Sequence, residues 1–558
     1  MDCTRLEIRA FTMNRNRKII CLLILIATIP RLISLLTFDF IDSGGGSDSV
    51  TYIALARNLF TGSGYTEFGL PHTVHHPFYS IMIGIVWQLA GDLVLSAQLV
   101  SCLAGILLVI PVFILADSLF GRRTGILSAL MIALFPIMVY GSSECFSESI
   151  YTLLLISGLA AARLAFKSGC LRYPIFSGIF LGAAFLTHPM GITFLPMVAG
   201  FNILAGQFRP WFKQRIQSSL YIVLAFFFTC LPFWIYLHSV TGEWQLSGSS
   251  HYQDFGLRYE QSEGVPPSKV VFDHMEALFN PIDQPVLKSD NQPEGMMEFI
   301  FSHPDRFLKI IRFNLCDGYD EAVKTAHYLS LPPSLFFLLL AGALLIMIFY
   351  ILYAFIRCRR RLAIVYLVLM FTPLVVFLVM QTEHRYFYPF IPLTLIVFAR
   401  ILDDIWELTY TPTTARRIFI FGLTVYYLFL FVASGFIVYR KAVKIGVPYE
   451  YKIMGIWMKD NIPGIEGEKV MMFRLGISYY AGCDWNVFYW GKLSGLREYL
   501  QKRGIKYLEV DSYKLHMIHP DLRFLLTADP LPTGFSLVRE IEFDGRKIRL
   551  LKFQWERE

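Results

Sequence analysis

Long apolar runs recur along this 558-residue chain, and they restrict it to one kind of environment in which to fold. The first, Ile19 to Phe38, is about the 20 residues a helix needs to cross the roughly 30 Å hydrocarbon layer of a bilayer. It follows Arg15-Asn16-Arg17-Lys18, contains Arg31 and lacks a small-residue cleavage site, so it reads as a retained helix and not a removed signal peptide. Ten further runs follow: Val94–Leu119, Thr124–Tyr140, Ser149–Phe166, Pro174–Thr187, Met190–Ala205, Ile216–Val240, Pro333–Ile356, Leu362–Met380, Tyr386–Leu402 and Ile418–Val438. Charged residues make up 17% of the chain and mean hydropathy is +0.50. A soluble domain carries about 25% charged residues. The expectation is an α-helical polytopic membrane protein of about eleven spans.

The segment Phe78–Ala90 decides sidedness. At about 13 residues it is short for a span, and charge settles the matter because cytoplasmic loops collect Lys and Arg. If it does not cross, Arg122-Arg123, Lys167 with Arg172, Arg209/Lys213/Arg215, Arg357/Arg359/Arg360/Arg361 and Arg416-Arg417 all fall on the cytoplasmic side. If it crosses, all of them move outside. The sequence therefore predicts a multi-pass protein of the cell's inner (plasma) membrane, with its N-terminus inside and its C-terminus outside. The net charge of +7 reflects loops beside anionic lipid and not a nucleic-acid surface.

Three pieces then lie outside: the loop 39–93, the loop 241–331 and the tail from Tyr439. The second carries amphipathic stretches, Ser268–Phe279 and Glu294–Leu315, suited to lie along the membrane surface as a cap. The tail reads as a small α/β domain over 441–558. Helices are expected at Tyr451–Lys459 and at Leu493–Lys502, stopped by Gly504. Strands are expected at Lys469–Phe473 and Ile505–Asp511, with a hairpin of Leu537–Phe543 and Lys547–Phe553 across Asp544-Gly545. It contains no phosphate-binding glycine loop, which assigns the chemistry to residues 1–440. Nine cysteines show no metal spacing and no CxxC, and Cys145, Cys316 and Cys483 on the outer side allow one disulfide at most.

The ionisable residues converge on the outer rim. Asp48 follows Gly44-Gly45-Gly46-Ser47 in the first loop, ahead of a helical stretch with Tyr52 and the turn Gly62-Ser63-Gly64-Tyr65. His75-His76-Pro77 precedes the short apolar segment, Glu148 starts the fourth span, and His188-Pro189 joins the fifth to the sixth. Glu383-His384-Arg385-Tyr386 begins the tenth span. Each has a structural alternative. Asp48 suits a helix cap, Glu148 complements a helix dipole, His188 fills a turn, and Arg385 with Tyr386 suits an interfacial anchor. Ionisable groups at membrane depth are costly and mark function more often than not, which favours a shared site.

These motifs, in this order, resemble the GT-C superfamily of integral membrane glycosyltransferases, in particular the branch of protein O-mannosyltransferases and lipid A aminoarabinose transferases. The shared features are Asp48-x-x-x-Tyr52, the Gly62-Ser63-Gly64-Tyr65 turn, His76-Pro77-Phe78, Phe120-Gly121-Arg122-Arg123, Glu148, Thr187-His188-Pro189 and His384-Arg385-Tyr386 with Pro389 and Pro392. The similarity covers roughly residues 15 to 440. Two positions depart: the usual Asp-Glu pair is Asp48-Ser49, and the arginine of the Thr-x-Pro motif is His188.

The resemblance implies a hexosyl or pentosyl transferase whose sugar donor is linked through phosphate to a polyprenol. The acceptor is a lipid, glycan or protein. It implies Asp48 as general base, with Glu148 as a second catalytic carboxylate that orients the acceptor or one of the cations, and His384, Arg385, His188, His76 and Tyr386 at the donor phosphate. Tyr52, His75 and Glu383 are left as acceptor or supporting groups. No cofactor is required; a divalent ion shared by Asp48 and Glu148 is left open. The rivals are a polysaccharide ligase or polymerase using the same lipid donors, and a lipid-sugar flippase. The second wants ionisable residues at mid-membrane in broken or repeated helices.

Overall fold

The computed structural model describes residues 2–41, 48–206, 212–248, 260–266, 300–328, 361–378, 384–408, 413–444, 448–514 and 519–554, with isolated positions at 269, 272, 334, 345, 348 and 349. The chain divides into two compact units. The first comprises Met1–Asp39, Tyr52–Ser250 and Asn314–Ala442, and the second Phe40–Thr51, His251–Phe313 and Val443–Glu558.

The first unit is helical. Its elements run α1 (Asp2–Thr37), α2 (Asp48–Phe60, its first turn in the second unit), α3 (Pro77–Ala90), α4 (Leu93–Leu107), α5 (Val109–Phe120), α6 (Arg122–Leu134), α7 (Pro136–Gly141), α8 (Glu148–Ser168), α9 (Arg172–Phe185), α10 (Gly191–Gly206) and α11 (Phe212–Thr241). After α12 (Pro304–Tyr328) come α13 (Arg361–Phe371), α14 (Phe390–Leu408) and α15 (Thr413–Ala442). Among the described residues five helices are long and apolar enough to cross a membrane: Arg17–Thr37, Leu93–Phe120, Glu148–Ser168, Phe212–Thr241 and Arg417–Arg440. The expected run Pro333–Ile356 lies outside the described residues except at isolated positions.

Several expected spans are shorter or broken for local reasons. Phe135 is extended (φ −70°, ψ 120°) because a residue before proline avoids the helical region, and Pro136 then opens α7. Thr124–Tyr140 is therefore two helices and not one. Helix α3 has 14 residues, about 21 Å of rise, against a hydrocarbon layer of about 30 Å. Pro77 sits in its first turn and Gly91, at φ 74°, closes it. Helices α9 and α11 touch through small residues: a Cβ on Gly178 would lie 2.3 Å from the Ile222 carbonyl oxygen. Such close backbone approach is how helices associate where burial offers no hydrophobic gain.

Arg31 is fully buried within this unit. Its Nη1 donates to the carbonyls of Ala27 (3.1 Å) and Ala133 (2.7 Å), Nη2 to that of Ile132 (3.1 Å), and Nε to Ser142 Oγ (3.1 Å). The acceptors at 132 and 133 belong to the last turn of α6, where carbonyls lack helical partners. One side chain thus caps α6 and satisfies its own charge.

The second unit contains a five-stranded sheet ordered β4-β3-β5-β7-β6, where β3 is Lys469–Met471, β4 Asp484–Asn486, β5 Tyr507–Asp511, β6 Phe535–Phe543 and β7 Arg546–Phe553. The first three strands are mutually parallel, and β7 pairs antiparallel with β5 and β6. The β6–β7 turn has Asp544 at φ 52° and Gly545 at φ 70°, the two left-handed residues a tight hairpin requires. Helices Glu450–Asn461, Leu475–Ala481 and Leu493–Arg503 accompany the sheet. The last ends at Gly504, φ 70°, as its sequence implies. The core gathers Leu496, Leu500, Leu508, Val510, Leu525 and Leu551. The start of the first loop belongs here: the Ile41 amide donates to the Tyr480 hydroxyl at 3.0 Å, and Phe40 stacks on Tyr480.

Candidate active site

The loop 142–147 between α7 and α8 is buried throughout, and α8 begins at its end with Glu148. Ser149 Oγ donates to the Gly141 carbonyl at 3.1 Å, closing the loop on itself. Glu148 Oε1 lies 3.5 Å from Nη1 of Arg385, and both side chains are about nine-tenths buried. Arg385 comes from the short 3-10 turn His384–Phe387. Its guanidinium carbon stands 4.8 Å from the ring centre of Phe146 and 5.7 Å from that of Tyr386. A planar cation held on aromatic faces and facing a carboxylate is fixed in direction. Tyr388 secures the turn: its hydroxyl donates to the Ile137 carbonyl at 3.1 Å, and its ring lies where a Cβ on Gly141 would come within 2.5 Å.

His188 completes this wall. Its ring centre is 5.2 Å from that of Tyr151, one turn into α8, and 5.4 Å from that of Tyr386. Nδ1 accepts the Met190 amide at 3.3 Å, which assigns the proton of the neutral ring to Nε2.

On the other flank Tyr52, buried on α2, donates its hydroxyl to Ser147 Oγ at 3.2 Å, directly before Glu148. The Tyr52 ring meets those of His75 (4.9 Å) and Tyr79 (5.1 Å) edge to face. The structure thus brings Tyr52, His75, Glu148, His188, Arg385 and Tyr386 into one contiguous set within the first unit.

The remaining expected residues stand elsewhere. Asp48 is the first residue of α2, half-buried, one helical turn before Tyr52 and on the same helix face. His76 is turned inward: Nδ1 is 2.5 Å from the Phe185 carbonyl, Nε2 is 2.8 Å from Ser247 Oγ, and the ring packs on Phe185 and Phe233. Both nitrogens are engaged, so His76 pins the start of α3 to the end of α9. His384 belongs to the 3-10 turn. Glu383 lies outside the described residues.

Several polar members of the site carry no motif in the sequence. Tyr151 is buried against His188. Glu144 is buried in the loop ahead of α8, four residues from Glu148. Glu67 and His72 flank the small hairpin of β1 (Thr66–Glu67) and β2 (Leu70–Pro71). The spacing His72-x-x-His75 was the available signal.

As for a divalent ion, among the described residues no three His, Cys, Asp or Glu side chains are grouped to hold one. Glu148 already faces a guanidinium, a neighbour that disfavours a second cation. The described donors do not fit a resident metal.

Residues 74–236 match the family model described as dolichyl-phosphate-mannose-protein mannosyltransferase, a segment that carries His75, Glu148, Tyr151 and His188. Several solved structures match over most of the chain. ArnT from Cupriavidus metallidurans bound to undecaprenyl phosphate superposes with a TM-score of 0.56 at 12% identity, covering 95% of this chain and 97% of that one. The chain has the GT-C fold. The archaeal oligosaccharyltransferase AglB from Archaeoglobus fulgidus, in complex with an inhibitory peptide and a dolichol-phosphate, gives a TM-score of 0.54 at 15% identity, covering 88% of this chain and 69% of that one. No curated protein matches. The protein therefore combines a segment that matches a mannosyltransferase family model with a GT-C fold and, among the described residues, several helices able to span a membrane.

Proposed function

We propose that the protein is a membrane glycosyltransferase that moves a sugar from a polyprenyl-phosphate carrier to an acceptor hydroxyl, with inversion, on the extracytoplasmic side of the membrane. The observation that carries this reading is the buried Glu148–Arg385 pair, set among Tyr151, His188 and Tyr386 at the start of α8. A lipid phosphate is an anion presented at membrane depth, and Arg385 is a preorganised cation. Support comes from two of the matched structures, one bound to undecaprenyl phosphate and the other to a dolichol-phosphate.

In the proposed reaction the acceptor oxygen bonds to the anomeric carbon as the bond from that carbon to the phosphate oxygen breaks. The phosphate leaves on its lipid, Arg385 and His384 offset its charge, and Asp48 takes the proton of the acceptor hydroxyl. Glu148 orients Arg385. His188 lies beside Arg385's turn, where it can add a hydrogen bond to the same phosphate. His76 supports α3 in this scheme and does not meet the donor. Replacing Asp48 by Asn keeps shape and removes the basic lone pair, so transfer from a lipid-linked sugar should fall by about 10²–10⁴-fold while undecaprenyl phosphate still binds. Turnover within a few-fold of the parent would return Asp48 to the role of a helix cap.

A further inference from the structure

The first loop holds a hydrogen-bonded series that the reaction scheme above does not use. Its hairpin turns through Phe68 (φ 51°) and Gly69 (φ 78°), a two-residue connection that sets Glu67 opposite Leu70 and leaves His72 just beyond the second strand. Glu67 Oε2 lies 3.0 Å from His72 Nδ1, and both side chains are close to nine-tenths buried. His72 Nε2 accepts the backbone amide of His75 at 2.9 Å and lies 3.0 Å from His75 Nδ1. The two rings stack with centres 5.1 Å apart.

These contacts assign the protons. A nitrogen that accepts a backbone N–H carries a lone pair, so His72 Nε2 is unprotonated and the His72 proton sits on Nδ1, toward the carboxylate. Burial lowers the pKa of His72 despite the neighbouring Glu67, which keeps the ring neutral near pH 7. Two lone pairs cannot face each other at 3.0 Å, so His75 Nδ1 must be the N–H partner. The basic nitrogen of a neutral His75 is then Nε2.

The frame around the series is rigid. The Tyr65 hydroxyl donates to the His75 carbonyl at 2.9 Å, and the Tyr236 hydroxyl reaches the carbonyls of Tyr65 (3.0 Å) and His72 (2.9 Å). His75 lies against Tyr52, whose hydroxyl meets the serine preceding Glu148. A loop held only for its shape does not need a carboxylate and two imidazoles in line.

We propose that Glu67 and His72 are positioning residues that lock His75 as its Nδ1–H tautomer, so that His75 Nε2 accepts a hydrogen bond beside Tyr52 from a hydroxyl of the acceptor other than the attacking one. This deepens the glycosyltransferase reading and rests on it. No bond forms to His75; it orients the acceptor, while the attacking hydroxyl gives its single proton to Asp48.

The test uses the full-length protein carrying ¹⁵N-labelled histidine in detergent, with undecaprenyl phosphate binding as the check on folding. The His75 nitrogens are assigned by their loss in His75→Gln. In the parent, Nδ1 should be protonated and Nε2 not. In His72→Phe, which removes the acceptor, His75 should shift toward the Nε2–H tautomer. Transfer should fall at least about tenfold in that variant while undecaprenyl phosphate binding is kept, since losing tautomer control misdirects the basic nitrogen. An Nε2–H tautomer in the parent, an unchanged tautomer in His72→Phe, or transfer within twofold of the parent after the tautomer has shifted would each overturn the proposal. If His72→Phe fails to bind undecaprenyl phosphate, His72→Leu, which also removes the acceptor, takes its place in the same measurements, with the same results expected and the same results overturning the proposal. Asp48→Asn separates the two claims. A dead Asp48→Asn with the wrong His75 tautomer removes only the relay, whereas an active Asp48→Asn removes the base assignment and leaves the tautomer result standing.

Discussion

The Glu148–Arg385 contact can be taken apart by a double-mutant cycle. The two groups are 3.5 Å apart and about nine-tenths buried. Coulomb attraction at that distance and an effective dielectric of about 20 is about 5 kcal/mol, offset by the cost of taking both charges from water. Removing one partner leaves the other buried beside it without that compensation, which typically costs about 3–5 kcal/mol. Glu148→Gln and Arg385→Gln should therefore each destabilise the helical unit by that amount. In a unit of several hundred residues, about 1 kcal/mol moves Tm by about 1 °C, so each change should lower the midpoint by about 3–5 °C. The double variant should lose little more than either single one, a coupling of about 3 kcal/mol. The assay is thermal unfolding of the detergent-solubilised protein, repeated with lipid-linked donor to follow transfer. Stability should fall little further in the double variant than in either single one, whereas transfer should be lost in it, because the cation proposed to meet the phosphate is gone. Losses that add to within about 0.5 kcal/mol would show that the two groups do not depend on each other, and the orienting role given to Glu148 would fall.

Gly141→Ala should cost about 1–3 kcal/mol and reduce donor binding, because the new methyl would meet the Tyr388 ring at 2.5 Å and push on the turn carrying Arg385; Tyr388→Leu in the same background should restore stability. Glu450, 1% exposed in the second unit, has its carboxyl pKa pushed up by burial to about 7 from 4.5. The folded state then holds its proton longer than the unfolded chain does, so this group's contribution to stability is fully present below pH 4.5 and is lost as pH rises through about 7. Glu450→Gln should remove up to about 3 kcal/mol of that decline, and an unchanged pH profile of the thermal midpoint would contradict it. Single cysteines at Thr61 and at Ser168, both exposed, should label from opposite sides of the membrane; labelling from the same side would undo the assignment of charge-rich loops to the cytoplasm.

What the sequence made legible was whatever depended on local composition. Apolar runs located the helices, and Gly504 and Asp544-Gly545 located a helix stop and a hairpin because those backbones need left-handed residues. The short Phe78–Ala90 run was recognisable by length alone. Local pattern did not reveal where a long run breaks: Thr124–Tyr140 looks continuous in hydropathy, yet Pro136 forces Phe135 out of the helix. In the candidate site, Glu148, His188 and Arg385 stood out in the sequence because they lie beside distinctive motifs. Tyr151 was hidden as one more aromatic in an apolar run, and Glu144 as a polar residue in a loop whose burial only the fold reveals. Glu67 and His72 escaped because their relation depends on a two-residue turn through Phe68, an uncommon residue at positive φ. His76, although beside a motif proline, faces inward.

Arg31 sets a constraint on how the protein is made. The ribosome delivers α1 first, yet three of the four groups that receive its guanidinium, at Ile132, Ala133 and Ser142, are synthesised about a hundred residues later. Until then an arginine in mid-helix costs about 2.5–3.5 kcal/mol in the insertion machinery's own terms. Helix α1 should therefore stay beside the translocon, or sit shifted toward the aqueous side, until α6 and α7 arrive. Nascent chains arrested before residue 132 should still cross-link to the insertion machinery through α1, and chains arrested well after Ser142 should have released it.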